Sequence, residues 1–143
     1  MQIVQVHYCV NDVIQMLPTK VFLEQNDDGE PTSVCYEVQG YQSLPVDSTE
    51  FAVKNLQKAL PQNMKIAACQ TCMFGNFNPY GDMDNEIFCL KGLDVQNKRD
   101  VCAAFEGEEQ ISERSRTLLA FCSAYKPINE NERYTYNDWA YLK

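Results

Sequence analysis

Val4, Val6, Tyr8 and Val10 alternate with Ile3, Gln5, His7 and Cys9. This is the period-two pattern of a half-buried strand. Asn11 to Leu17 reads as a short irregular or helical piece that stops at Pro18. Val21 to Gln25 and Ser33 to Val38 read as two further strands, with Val34, Tyr36 and Val38 on one side. The link between them is Asn26-Asp27-Asp28-Gly29-Glu30-Pro31. Asp-Gly supplies the positive-φ positions of a tight turn, so the two strands are expected to form a β-hairpin.

The period then changes. Ala52, Val53, Leu56, Ala59 and Leu60 recur at helical spacing, and Asp47-Ser48-Thr49-Glu50 has the form of a capping box with its first oxygen at Asp47. Pro61 disfavours helical geometry at the residue before it, so the predicted helix runs from about 48 to 60. Lys65 to Cys69 predicts a short strand. Phe74 to Glu86 is rich in Gly, Asn, Asp and Pro and predicts a loop, with Asn78-Pro79-Tyr80-Gly81 as a type I turn. Ile87 to Lys91 predicts a strand carrying Cys89. Val101 to Phe105 fits either a strand or a short helix, and Glu106 to Arg116 a loop or helix start. Thr117 to Tyr125 fits a strand or the apolar end of a helix beginning near Ile111, and the strand is preferred. There is no internal repeat, low-complexity segment or evident linker. The expectation is a single α+β domain over residues 1–143: an antiparallel sheet, one main packed helix and a zinc-knuckle-like loop region.

Seven cysteines bring in the chemistry: Cys9, Cys35, Cys69, Cys72, Cys89, Cys102 and Cys122. An odd number cannot pair fully within a monomer. The N-terminus shows no basic stretch followed by an apolar one, so no signal peptide and a cytoplasmic location are expected. Disulfides are rare in that compartment, and clustered cysteines there point to metal binding or catalysis. Cys69-Gln-Thr-Cys72 can present two thiolates to one ion from a single turn. Cys89 follows across the turn-rich loop as a third ligand. The residues themselves leave the fourth ligand open among Cys122, Cys102 and, less plausibly, His7. A redox role is disfavoured. Such sites open a helix, whereas Met73-Phe74-Gly75-Asn76-Phe77-Asn78-Pro79 cannot form a regular one.

Charge narrows the partners. Twelve Lys and Arg against twenty Asp and Glu leave a net charge of −8 over 143 residues. That argues against sequence-independent binding to nucleic acid or to an anionic membrane. The longest strongly apolar run, Leu118 to Cys122, falls far short of the roughly 20 residues of a membrane helix. Asp82, Asp84 and Glu86 alternate as in a hard-cation loop. Ile87 and Leu93, however, stand where a calcium loop needs Gly and Glu, so a solvated turn is expected. The common nucleotide, hydrolase and metalloprotease signatures are absent.

Several of these motifs together resemble a family of small uncharacterised bacterial proteins. The matching run is Leu60-Pro61-Gln62-Asn63, then Cys69-x-x-Cys72, then Phe77-Asn78-Pro79-Tyr80-Gly81, then Phe88-Cys89. Leu118-Leu119-Ala120-Phe121-Cys122-Ser123-Ala124-Tyr125-Lys126-Pro127 is similar to the family's late cysteine at the end of an apolar strand. The resemblance covers the middle and end of the chain. It implies a metal site, and Cys122 as the fourth ligand beside Cys69, Cys72 and Cys89; it implies no activity. Four thiolates leave no position for water, so a zinc ion there would be structural.

Two function classes follow. The first is a non-enzymatic acidic binding protein with structural zinc, of the immunity type, neutralising a basic toxin. The second is a small hydrolase-like enzyme built on dispersed carboxylates, or on His7 with a cysteine. The aromatic tail, Tyr134, Tyr136, Trp139 and Tyr141, either docks the C-terminus on the core or forms a recognition surface.

Overall fold

The protein is described from a computed structural model, covering residues 1–81, 85–107 and 111–141. The chain is α+β and divides into two compact units, Met1–Ala67 and Ala68–Lys143. Among the described residues no helix is long and apolar enough to cross a membrane.

The N-terminal unit is a five-stranded antiparallel sheet with one helix. Strands β1 (Gln2–Val10), β2 (Val13–Gln25), β3 (Pro31–Val38), β4 (Tyr41–Gln42) and β5 (Met64–Ile66) lie in the order β4-β3-β2-β1-β5. Strand β1 is the predicted one. The piece from Asn11 to Leu17 is not irregular or helical, as its composition suggests, but the turn and first half of β2. Asn11 and Asp12 both take positive φ, 50° and 68°, and so make the two-residue turn that matches strand twist. Pro18 does not end the strand either. It pairs with Gln5 of β1, and β3 pairs with β2 only from Lys20 onward. At Pro18 the strand is therefore an edge, where a missing N–H is tolerated.

The expected hairpin joins β2 and β3. Gly29 takes φ 81°, and the Asn26 carboxamide oxygen accepts from the backbone N–H groups of Asp28 at 3.0 Å and Glu30 at 2.9 Å. The register shifts between Glu24 and Gln25, which places a bulge at the hairpin's end.

Helix α1 (Thr49–Ala59) lies against β3 and β4 and buries Ala52, Val53 and Leu56. Its cap is Ser48, one residue beyond the Asp47 expected: the Ser48 hydroxyl accepts from Phe51 N–H at 3.4 Å. Val6, Tyr8, Thr19, Val34, Tyr36, Val38, Met64 and Ile66 are buried on the covered sheet face. The Tyr8 hydroxyl meets Thr19 at 2.7 Å, so the hydroxyl pair buried there is satisfied.

The C-terminal unit has far less regular structure. Strands β6 (Gly75–Asn76), β7 (Glu86–Cys89) and β8 (Ser115–Thr117) form a three-stranded antiparallel sheet in that order. The ambiguous stretch around Val101 is helical, in α2 (Lys98–Gly107). Asn97 caps it, its carboxamide oxygen accepting from Asp100 N–H at 3.1 Å while the Asp100 carboxylate accepts from Gln96 N–H at 2.8 Å. A small core of Phe88, Leu90, Val95 and Val101 sits here, with Phe105 edge-on to Phe88. The strand expected from Thr117 to Tyr125 is absent: β8 ends at Thr117 and the chain beyond it is irregular. The turn at Pro79–Tyr80 is as expected, with Tyr80 N–H donating to the Asn78 carboxamide at 2.9 Å. Asp82 and Asp84 lie outside the described residues.

Leu56 is fully buried between helix and sheet. Leu56→Ala should therefore cost about 2–5 kcal/mol through the cavity it leaves. Ser48→Ala should cost about 0.5–2 kcal/mol through the lost cap. Urea unfolding of both variants, at unchanged denaturant slope, checks the order.

Candidate metal centre

The site begins where the chain leaves the N-terminal sheet. Residues Cys69–Thr71 form a single 3-10 turn, closed by Thr71 N–H to the Ala68 carbonyl at 2.9 Å and Cys72 N–H to the Cys69 carbonyl at 3.2 Å. Gly75 N–H then donates to the Cys72 carbonyl at 2.9 Å. At Gly75 a side chain would run into the Cys69 carbonyl oxygen and crowd Ile87. Only glycine lets the strand leaving the turn pass so close to the turn itself.

Other segments pin this turn by its backbone. Cys69 N–H donates to the Ala120 carbonyl at 2.7 Å and Gln70 N–H to the Leu118 carbonyl at 3.0 Å. Those two bonds lay the irregular segment after β8 alongside the turn and carry Cys122 to it. Met73 N–H to the Lys126 carbonyl, 2.8 Å, and Ile128 N–H to the Thr71 carbonyl, 3.1 Å, extend the same pairing. Cys89 arrives from the other side, opposite Gly75 in the β6–β7 register.

The C-terminal segment closes over the result. Thr135 Oγ1 donates to the Met73 carbonyl at 2.7 Å, and Asn137 Nδ2 to the Gln70 carbonyl at 2.6 Å. Tyr136 N–H donates to the Asn76 carboxamide at 2.6 Å. Arg133 donates to the carbonyls of Leu90 and Leu93 at 2.8 and 2.9 Å, with its guanidinium 5.1 Å from the centre of the Phe74 ring. Tyr134 and Tyr136 pack on the Phe88–Val101 core. Of the two readings of the aromatic tail, docking on the core describes both tyrosines. Trp139 is half-buried, and the Tyr141 side chain lies outside the described ones.

The outcome is one cavity of about 300 Å³ whose lining includes Cys69, Cys72, Cys89 and Cys122. Cys72 is buried, Cys69 and Cys89 are half-buried, and Cys122 is exposed. Burial pushes the Cys69 thiol up to about 12; the sulfurs of Cys72, Cys89 and Cys122 push the same way, and Arg116 opposes them. The other three sulfurs are thus each within electrostatic reach of Cys69. Among the described residues, no group of three or more His, Cys, Asp or Glu side chains is placed so that it could hold a metal ion. The remaining cysteines stand elsewhere. Cys9 and Cys35 belong to β1 and β3 of the N-terminal unit, as His7 does to β1. Cys102 is on α2, where its thiol sits against the Tyr80 hydroxyl, itself 2.8 Å from Glu106.

Three cations share the cavity lining: Lys91, Arg114 and Arg116. Arg114 Nη1 donates to the carbonyls of Cys89 and Lys91, 3.0 Å each, and so braces the end of β7. Arg116 Nη1 donates to the carbonyls of Glu113 and Ser115, 2.8 Å each. Sequence reasoning passed over these cations. The signal was Arg114-Ser115-Arg116, a basic pair in an acidic chain.

No family model, curated protein or solved structure matches the chain. The family resemblance therefore rests on the motifs quoted above.

Gly75→Ala should destabilise the C-terminal unit by about 1–3 kcal/mol, the range for forcing an extra group into a packed site. Gly81→Ala is the control: nothing lies within 4 Å of the position an added Cβ would take. Urea midpoints of the two variants compare them.

Proposed function

We propose that the chain is a non-enzymatic cytoplasmic binding protein whose C-terminal unit carries a structural zinc ion on Cys69, Cys72, Cys89 and Cys122. The observation that supports this is convergence. Three separate segments, the CxxC turn, the end of β7 and the loop after β8, bring four thiols to one cavity, and the other three cysteines are not in its lining. Sulfur donors suit zinc and disfavour magnesium or calcium. Gathering the four sulfurs on one ion requires them to close in from the positions they hold around the cavity. Four thiolates around a divalent ion carry a net charge of −2, and Lys91, Arg114 and Arg116 stand in the cavity wall to offset it. The unit's small core and short strands fit a fold in which metal binding contributes to folding.

The net charge of −8 supports a basic protein as the binding partner, in the manner of an immunity-type protein that neutralises a toxin. Such a complex should associate more slowly as salt rises, because exposed charges are screened over about 8 Å at physiological ionic strength. Affinity purification from the native host, then association kinetics across a salt series, gives the measurement. A tight partner whose on-rate ignores salt would remove the electrostatic account.

Metal analysis of protein purified without added zinc should give about one zinc per chain. Chelation should unfold the C-terminal unit. A metal-free chain with unchanged stability would refute the site. Cys122→Ser should lose the metal and with it far more stability than Cys102→Ser, whose half-buried hydroxyl keeps Tyr80 as a neighbour and should cost less than the roughly 1–3 kcal/mol of an unpaired buried one. Zinc content and urea midpoint of both variants separate the two cysteines. Retention of zinc by Cys122→Ser with loss by Cys102→Ser would overturn the ligand assignment.

A further inference from the structure

Helix α1 covers one face of the five-stranded sheet; the opposite face can be read from the register. Ile3 stands opposite Lys20, Gln5 opposite Pro18, His7 opposite Met16 and Cys9 opposite Ile14, while on the other flank of β2 Phe22 stands opposite Cys35 and Lys20 opposite Glu37. Directly paired residues point to the same side of a sheet. Ile3, Ile14, Met16 and Phe22 therefore share this face. Their exposures are 57%, 42%, 56% and 37%, which marks the face as an apolar surface open to solvent rather than a few scattered side chains.

We propose that this face is a self-association surface whose occupant is a second copy of the chain. The argument is charge. The chain as a whole is at −8, so two copies repel over most orientations. The face itself is balanced. Lys20 and Lys65 are offset by Glu24 and Glu37, which share its side of the sheet by register. Two copies meeting here, related by a two-fold axis, bring no net like charge together, and each lysine can meet a glutamate of the other copy. A basic partner would find no net attraction at this face.

Area sets the strength. The 9, 13, 8 and 3 residues of β1, β2, β3 and β5, each covering about 3.4 Å along its strand and about 4.8 Å across it, give a face of about 450–600 Å² per copy. Two copies then bury about 900–1,200 Å², at the lower end for stable complexes, so the dimer should be weak and reversible.

Sedimentation equilibrium of the full chain with reductant present, across the micromolar range, provides the test. The wild-type chain should pass from monomer to dimer, and should do so no less in high than in low salt, because salt screens the repulsion between two chains at −8 while the face carries no net charge. Met16→Lys places a charge at the centre of the patch on an already exposed side chain. It should weaken the dimer at least tenfold while leaving the circular dichroism spectrum unchanged. Leu44→Lys, at an exposed leucine outside the strands, should leave the dimer intact. A chain that stays monomeric throughout, or a dimer that survives Met16→Lys, overturns the proposal. So does a dimer lost equally in Leu44→Lys, or one that needs zinc or an oxidised cysteine.

Discussion

The passage of Gly75 beside the Cys69 carbonyl sets the shape of the turn from Cys69 to Gly75, and the C-terminal unit is assembled around that turn. With so little regular structure, the unit has few ladder hydrogen bonds to organise it. Its order comes instead from backbone groups of the turn donating to and accepting from distant segments: Leu118 and Ala120 on one side, Lys126 and Ile128 along it, Thr135 and Asn137 over it. Each bond satisfies a buried peptide group that would otherwise cost free energy, and each fixes one stretch of chain relative to the CxxC. The meeting of four thiols in one cavity follows from that scaffold.

The N-terminal unit follows the more familiar logic of alternation. One face of the sheet is apolar and covered by α1, and its buried hydroxyls are paired. This half was legible in the sequence because period-two and period-3.6 patterns are local. Its one large misreading, Asn11 to Leu17, came from weighing Asn, Asp and Pro as breakers. Asn11 and Asp12 are indeed a turn, but a turn of two residues, and Pro18 sits where β2 lacks its second neighbour. Propensity reports what a residue disfavours on average; an edge position removes the objection.

The C-terminal half was less legible for a physical reason. Leu118 to Tyr125 has the apolar composition of a strand, yet its Leu118 and Ala120 carbonyls accept from the N–H groups of a turn about fifty residues earlier, a partner no local window reveals. The helix at Lys98 carried a readable signal, Asn97 with Asp100 three residues on, that the apolar content of Val101 to Phe105 obscured. Cys69, Cys72 and Cys89 were grouped together by spacing, and the structure places all three in one cavity lining. Cys122 was preferred to Cys102 through the motif resemblance, and the structure places Cys122, not Cys102, in the lining with the other three.

The closing of the C-terminal segment over the turn also bears on synthesis. A ribosome delivers the chain from its N-terminus, and residues 1–67 contain every strand and the helix of their own unit, so that unit is complete as soon as it emerges. The turn at Cys69 emerges next, but Arg133, Thr135 and Asn137 arrive some sixty residues later. For that interval the carbonyls they will occupy face water or a chaperone, and Cys69, Cys72, then Cys89 and last Cys122 emerge as open thiols before their enclosure exists. The order of delivery thus leaves a stretch of translation in which the thiols are open to solvent before the finished fold partly covers the turn that carries two of them.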